Sequence, residues 1–241
     1  MLIGPQILAA NLAAVRQRIA AAARRAGRDP ATVTLVGVSK AQPAAAVVAL
    51  RAAGLCDFGE NYLQEALAKL AAVPRAGTAW HFIGQLQANK SRAVAEHFDW
   101  VHTVDRVRVA ERLAAQRPFH GPALDVCLQV RLADEAAKGG VAADQLPALA
   151  RAVAALPRLR LRGLMCVPPP ADAESVQRGW FAQLRELRDR LNAGQVGGTS
   201  PLDVLSMGMS GDFEAAILEG ATHVRVGTAL FGARLPGAAP G

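Results

Sequence analysis

Of the 27 basic residues in this 241-residue chain, 23 are arginine and four are lysine: Lys40, Lys69, Lys90 and Lys138. A guanidinium cannot deprotonate and form an imine with a carbonyl, whereas an ammonium can, so a lysine kept in so arginine-biased a chain marks a place where amine chemistry is needed. Lys40 is the best placed, because it closes the apolar run Leu35 to Lys40 (LVGVSK). A lysine whose stem lies against an apolar interior is partly desolvated, which lowers its pKa and frees the lone pair that attacks a carbonyl. Lys69 falls on a helical stretch and Lys90 in a loop or helix start, so both are expected to be solvated. A second signal lies near the other end of the chain. Ser206-Met207-Gly208-Met209-Ser210-Gly211 leads into a helix over Asp212–Glu219, and Arg225-Val226-Gly227-Thr228 follows. Glycines that let backbone N–H groups approach, together with hydroxyl donors, suit a phosphate. Asp212 and Glu214 count against an anion there, although acidic residues are equally good at a helix start. A lysine and a phosphate loop together point to a phosphorylated carbonyl compound held at both ends.

The elements that must position these residues alternate along the whole chain. Residues 6–26 carry Leu8, Leu12, Val15, Ile19 and Ala22 or Ala23 at the spacing of a helix with one buried stripe. An arginine-rich, acid-poor opening of this kind also fits a transit peptide. Apolar runs at 34–39, 56–59, 80–84, 100–104, 124–130, 161–167, 203–207 and 223–227 read as eight strands, and helical segments separate most of them. Near-continuous apolar strands are expected of a parallel sheet covered on both faces. Eight such units in about 200 residues fit a single α/β domain, a (β/α)8 TIM barrel with an extra N-terminal helix, spanning 1–241 with a loose tail over about 235–241. An open doubly wound sheet is the alternative, since periodicity counts strands without closing them. In a barrel, Lys40 and both glycine-bearing loops fall at the carboxyl ends of strands, where such folds place their chemistry.

Composition excludes several function classes. No apolar run approaches the roughly 18 residues of a membrane span, and the opening MLIGPQILAA lacks the charged start of a secretory signal. The net charge of +7 is not clustered with aromatic residues, which make up 5% of the chain, so the runs Arg24-Arg25-Arg28 and Arg158-Arg160-Arg162 read as solvated basic surface, not as a nucleic-acid site. Cys56, Cys127 and Cys166 are odd in number, with no CxxC spacing and each among apolar neighbours, and read as reduced core residues of a cytoplasmic protein. His81, His97, His102, His120 and His223 include no pair at metal-ligand spacing, so no metal site is expected.

The segments LVGVSKAQP (35–43), FGENYLQEALAK (58–69), WHFIGQLQANKSR (80–92), WVHTVDR (100–106), EAAKGG (135–140), RGLMCVP (162–168) and LSMGMSGDFEAAILEGATHVRVGTALFGAR (205–234) resemble, in order and spacing, the YggS/PROSC family of pyridoxal phosphate homeostasis proteins. The resemblance implies a barrel like the amino-terminal domain of alanine racemase that binds pyridoxal 5'-phosphate (PLP). It makes Lys40 the Schiff-base lysine. Ser210 and the backbone of Met209, Gly227 and Thr228 would hold the phosphate, Arg225 would lie beside the cofactor, facing either the ring nitrogen or the phosphate, and Asn61 and His81 would lie near the ring. Lys138 sits in a matching segment without a role that its spacing reveals.

Catalysis by PLP needs a base near the substrate α-carbon and usually an acid at the ring nitrogen. The related racemases draw a catalytic tyrosine from a second, β-rich domain, and this chain holds one tyrosine, Tyr62. The resemblance therefore implies a monomeric, cytoplasmic protein that buffers PLP or delivers it to apo-enzymes without turnover, with no catalytic residue of its own. A PLP-dependent racemase or decarboxylase using Lys40 as base is the alternative, and a Schiff-base aldolase acting on a sugar phosphate is a third reading.

Overall fold

The computed structural model describes residues 3–133, 139–196 and 200–232. Lys138 and the tail expected over 235–241 lie outside them. The chain opens with α1 (Pro5–Arg25), whose first-turn proline has the fixed φ that a helix start needs. It then alternates: β1 (Thr34–Val38), α2 (Ala44–Ala52), β2 (Asp57–Glu60), α3 (Leu63–Ala72), β3 (Ala79–Phe82), α4 (Ser91–His97), β4 (Trp100–Val104), α5 (Val107–Gln116), β5 (Leu124–Gln129), α6 (Leu146–Ala154), β6 (Leu159–Met165), α7 (Glu174–Ala193), β7 (Val204–Ser206), α8 (Phe213–Leu218), β8 (His223–Val226) and α9 (Thr228–Phe231). All eight strands pair in parallel and in chain order, and β8 returns to β1 through Val36↔Arg225 and Gly37↔Val226, so the sheet closes into a barrel. Closure removes the open-sheet alternative.

Most of the buried apolar side chains form one layer between sheet and helices, among them Leu50, Phe58, Trp80, Phe82, Phe98, Leu113, Phe181 and Phe213. The stripe Leu8, Leu12, Val15, Ile19, Ala22 and Ala23 adds α1 to that layer, where it packs on α2, α8 and α9. Each buried Leu, Ile or Val in the stripe contributes about 1.5–3 kcal/mol. Arg28, just past α1, donates to the carbonyls of Ile217 and Ala221 at 3.2 and 2.8 Å, tying the helix to the end of α8. A smaller apolar cluster, Cys127, Met165 and Val204 with Trp100 and Val167, is separate from this layer.

Most strands shift by a residue or two from the expected runs, and β6 and one surface differ with a visible cause. β6 begins at Leu159, not Leu161, because Leu159 and Arg160 pair with Leu124 and Asp125 before a register shift at Val126/Cys127. The arginines that looked like solvated surface supply the reason. Arg160 clasps both carboxylate oxygens of Asp125, Arg162 binds Asp203 at 2.6 and 2.9 Å, and Arg158 caps the carbonyl of Ala114. This basic run is tied into the fold by hydrogen bonds and ion pairs at the amino-terminal end of the barrel.

Candidate functional site at the carboxyl end of the barrel

A cavity of about 340 Å³ opens at the carboxyl ends of the strands. Its wall includes Lys40 after β1, Asn61 after β2, Met209, Ser210 and Gly211 after β7, and Arg225, Gly227 and Thr228 at the end of β8. Seven of the eight residues that the sequence marked as cofactor-binding therefore share one wall, although they come from four separate segments. The volume lies in the range of small-molecule sites, about 300–1,000 Å³. A second cavity of about 430 Å³ lies at the opposite end, between α1 and the starts of β1 and β2. Its described lining contains no lysine, and the convergent donors of the carboxyl-end cavity are missing from it.

Two glycines let the wall close up. A Cβ on Gly84 would meet the Asn61 carbonyl oxygen at 2.0 Å, so only glycine lets the segment after β3 run against the backbone that carries Asn61. Gly208 has φ +92°, and its missing Cβ would fall 2.9 Å from the Phe213 Cα. The loop after β7 thus folds back on α8, with Gly208 accepting from the Arg225 N–H at 2.9 Å.

Donors already converge in the phosphate loops. Ser210 Oγ accepts from the N–H groups of Gly227 and Ala229 at 3.3 and 3.4 Å, so two backbone dipoles point at one oxygen. The Met209 N–H, expected to face the same anion, instead donates to Asp212 Oδ1 at 2.5 Å. Burial raises the Asp212 carboxyl above its usual pKa despite that bond. Glu214 turns away and pairs with Arg18.

Arg225 is 4% exposed, and no ion pair neutralises it among the described residues. Its guanidinium donates to the Cys166 carbonyl and to Ser206 Oγ, each at 2.8 Å. Burial lowers its pKa, yet a guanidinium stays charged at neutral pH. Cys166 beside it is pushed up to about 12 by burial and is no nucleophile.

His81 is the one marked residue outside the cavity wall. It is fully buried, its Nε2 3.0 Å from Asp57 Oδ1 and its Nδ1 2.9 Å from His102 Nε2. His102 Nδ1 in turn lies 2.7 Å from Ser206 Oγ. Because a guanidinium can only donate, Ser206 Oγ accepts from Arg225. One chain of hydrogen-bond contacts, Arg225–Ser206–His102–His81–Asp57, therefore runs through the barrel from the cavity wall to the opposite end. His102, His223 and Ser206 were missed in the sequence. Their signal was parity: His223 shares the strand alternation of Arg225, and His102 that of Trp100, whose ring it faces inside the barrel.

Lys69 contradicts its expectation as a solvated helix residue. It is 3% exposed and its Nζ donates to Ser39 O, Glu60 Oε1 and Glu65 Oε1 at 2.5, 2.7 and 2.6 Å. Lys90 is half-buried at the end of a short 3-10 turn. No group of three or more His, Cys, Asp or Glu could hold a metal ion among the described residues, and none of their helices is long and apolar enough to cross a membrane.

Comparison with known proteins agrees with this geometry. The family model described as alanine racemase, N-terminal domain, matches residues 10–235. A pyridoxal phosphate homeostasis protein of Pseudomonas aeruginosa is 59% identical over 231 residues, covering 96% of this chain and 97% of that protein. Its counterpart in Escherichia coli strain K12 is 50% identical over 230 residues, covering 94% and 97%. The structure of PipY from Synechococcus elongatus with PLP bound matches with a TM-score of 0.81 at 39% identity, over 93% of this chain and 100% of that one.

Proposed function

The chain belongs to the family that carries the alanine racemase N-terminal domain, among the pyridoxal phosphate homeostasis proteins, and we propose from its site that it binds PLP and buffers or delivers the cofactor without turning over a substrate. The observation that carries the reading is the wall shared by Lys40, Ser210 and Arg225. An amine, a hydroxyl with convergent N–H groups, and an unpaired buried guanidinium match the aldehyde, phosphate and ring of one molecule.

The residues fit that molecule on a further point. Asn61 Oδ1 is buried with no hydrogen-bond partner, and Asn61 lines the cavity, so a ligand donor has an acceptor waiting. When bound, PLP supplies an aldehyde that condenses with an amine. Lys40 would provide that amine, Ser210 with Gly227 and Thr228 would hold the phosphate, and Arg225 would lie beside the cofactor. The Met209 side chain is part of the wall, and its N–H is the donor committed elsewhere.

Two points favour a carrier over an enzyme. The described wall contains no Asp, Glu, His, Cys or Tyr, so Lys40 is the one side chain there suited to move a proton at a substrate carbon. An arginine at the ring nitrogen would keep it unprotonated and weaken the ring as an electron sink. We also read the protein as a monomer with 1–241 acting as a single domain. Cys127 and Cys166 are buried as expected from the sequence, Cys56 is exposed instead of in the core, and all three are free thiols, which suits the cytoplasm; the recipients are apo-enzymes that use PLP.

Borohydride reduction of the PLP-loaded protein, followed by peptide mapping, tests the attachment. The pyridoxyl group is expected on Lys40, and Lys40→Ala is expected to fold normally and lose the yellow colour. A label found chiefly on Lys69, Lys90 or Lys138 would reject the assignment.

A further inference from the structure

We propose that Lys69 is a positioning residue for Lys40: through the Ser39 carbonyl it fixes the turn that aims the Lys40 amine into the cavity. This rests on Lys40 being the point of attachment.

Ser39 is fully buried and held on every side. Its N–H donates to Gly59 O at 3.0 Å, its hydroxyl to Glu60 Oε1 at 2.5 Å, and its carbonyl accepts from the Gln42 N–H at 3.0 Å and from Lys69 Nζ at 2.5 Å. The Ser39–Gln42 bond closes a turn with Lys40 and Ala41 at its two central positions. Ala41 there has φ +57°, a left-handed conformation that an alanine keeps only where its surroundings over-determine it. Residue 39 is the anchor of that turn, and the Lys69 ammonium is a charged group bound directly to its carbonyl.

The chemistry of Lys69 matches the task. An ammonium has three N–H donors around one nitrogen, and here each has one oxygen: Ser39 O, Glu60 Oε1 and Glu65 Oε1. A planar guanidinium presents its donors as a fork and cannot converge on three oxygens from one atom. This accounts for a second lysine kept in an arginine-rich chain, this time for its geometry and not for its nucleophilicity. Glu65 holds the ammonium from α3 and Glu60 from the end of β2, so the turn after β1 is referenced to two neighbouring elements. Only Oε1 of Glu60 is used; its Oε2 is buried and unpartnered.

The step that depends on this aim is attack of the neutral Lys40 Nζ on the PLP aldehyde carbon. The C–N bond forms, both amine protons go to the carbonyl oxygen, and that oxygen leaves as water to give C=N. A misdirected turn weakens this step and leaves the phosphate and ring contacts alone. The experiment therefore measures binding of PLP and of pyridoxine 5'-phosphate, which has the same ring and phosphate but an alcohol in place of the aldehyde. Lys69→Met is expected to weaken PLP at least tenfold, slow the appearance of imine absorbance, and change pyridoxine 5'-phosphate by less than twofold. Should the buried Glu60 charge prevent that variant from folding, Lys69→Met/Glu60→Gln removes the charge as well, and the same split is expected. Equal losses for both ligands, or no loss for either, would overturn the proposal. Lys40→Ala run alongside tests the underlying reading: if it too leaves PLP binding as strong as before, Lys40 is not the attachment point and that reading fails independently.

Discussion

Ser210 shows how much one side chain at this mouth can decide. Its hydroxyl oxygen sits where two backbone N–H groups converge, so it both rehearses the position of a phosphate oxygen and brings a donor of its own. A hydrogen bond to a charged group contributes roughly 1.5–3 kcal/mol, and Ser210→Ala is therefore expected to weaken PLP about tenfold or more while hardly changing pyridoxal, which lacks the phosphate. Titration of both ligands against the variant checks this, and equal losses would show that the hydroxyl does not touch the phosphate. At this scale the sequence was informative wherever a residue stood at a strand end: Lys40, Ser210 and Arg225 could be placed from the alternation of runs and loops, whereas Asn61 came only from the family resemblance. It misled at Lys69, because helical periodicity places a side chain on a face but does not show that Glu60 and the Ser39 carbonyl, from two strand ends, come to meet it. The bond from the Met209 N–H to Asp212 was equally invisible in the sequence, since it depends on the short loop after Gly208 letting Asp212 reach back.

Among the elements, β3, β4, β7 and β8 jointly make a polar barrel interior that apolar strand runs do not announce. His81, His102 and His223 lie with ring centroids 5.1–6.1 Å apart, and His223 on β8 reaches the other two, on the adjacent strands β3 and β4, because the sheet closes. Burial first, then the coulombic influence of its neighbours His81, His223 and Arg225, lowers His102 well below the usual histidine range; burial and the same influence of His81 bring His223 to about 3. The unfolded chain takes up these protons near pH 6.5 and the fold does not, so the stability they contribute is complete above about pH 6.5 and declines as the pH falls toward 3. The slope approaches roughly 1.4 kcal/mol per pH unit for each histidine. Urea midpoints measured from pH 7 to pH 5, above most carboxylate titrations, are expected to fall accordingly, and His223→Gln is expected to flatten the curve. A slope that His223→Gln leaves untouched would place the acid sensitivity elsewhere.

Taken whole, the molecule joins a rigid, closed barrel to a mouth whose described wall holds only one group able to move a proton at carbon. Rigidity favours holding a cofactor: Arg225 is fastened to Cys166 and Ser206, and the chain behind it reaches Asp57 at the other end. It does not by itself favour catalysis, because an amino-acid substrate that displaced Lys40 would free the same amine that must then take its α-proton, and an arginine at the ring nitrogen would withhold a proton from the ring. The protein is therefore expected to exchange amines at the bound cofactor without accelerating loss of the α-proton. Incubation with alanine, serine, lysine and ornithine in deuterated water measures that first step even where no product accumulates. Exchange at the rate of free PLP, combined with transfer of PLP to an apo-enzyme faster than simple release allows, is the expected result. An exchange rate well above that of free PLP for any of the four, lost in Lys40→Ala, would make the protein an enzyme with Lys40 as its base.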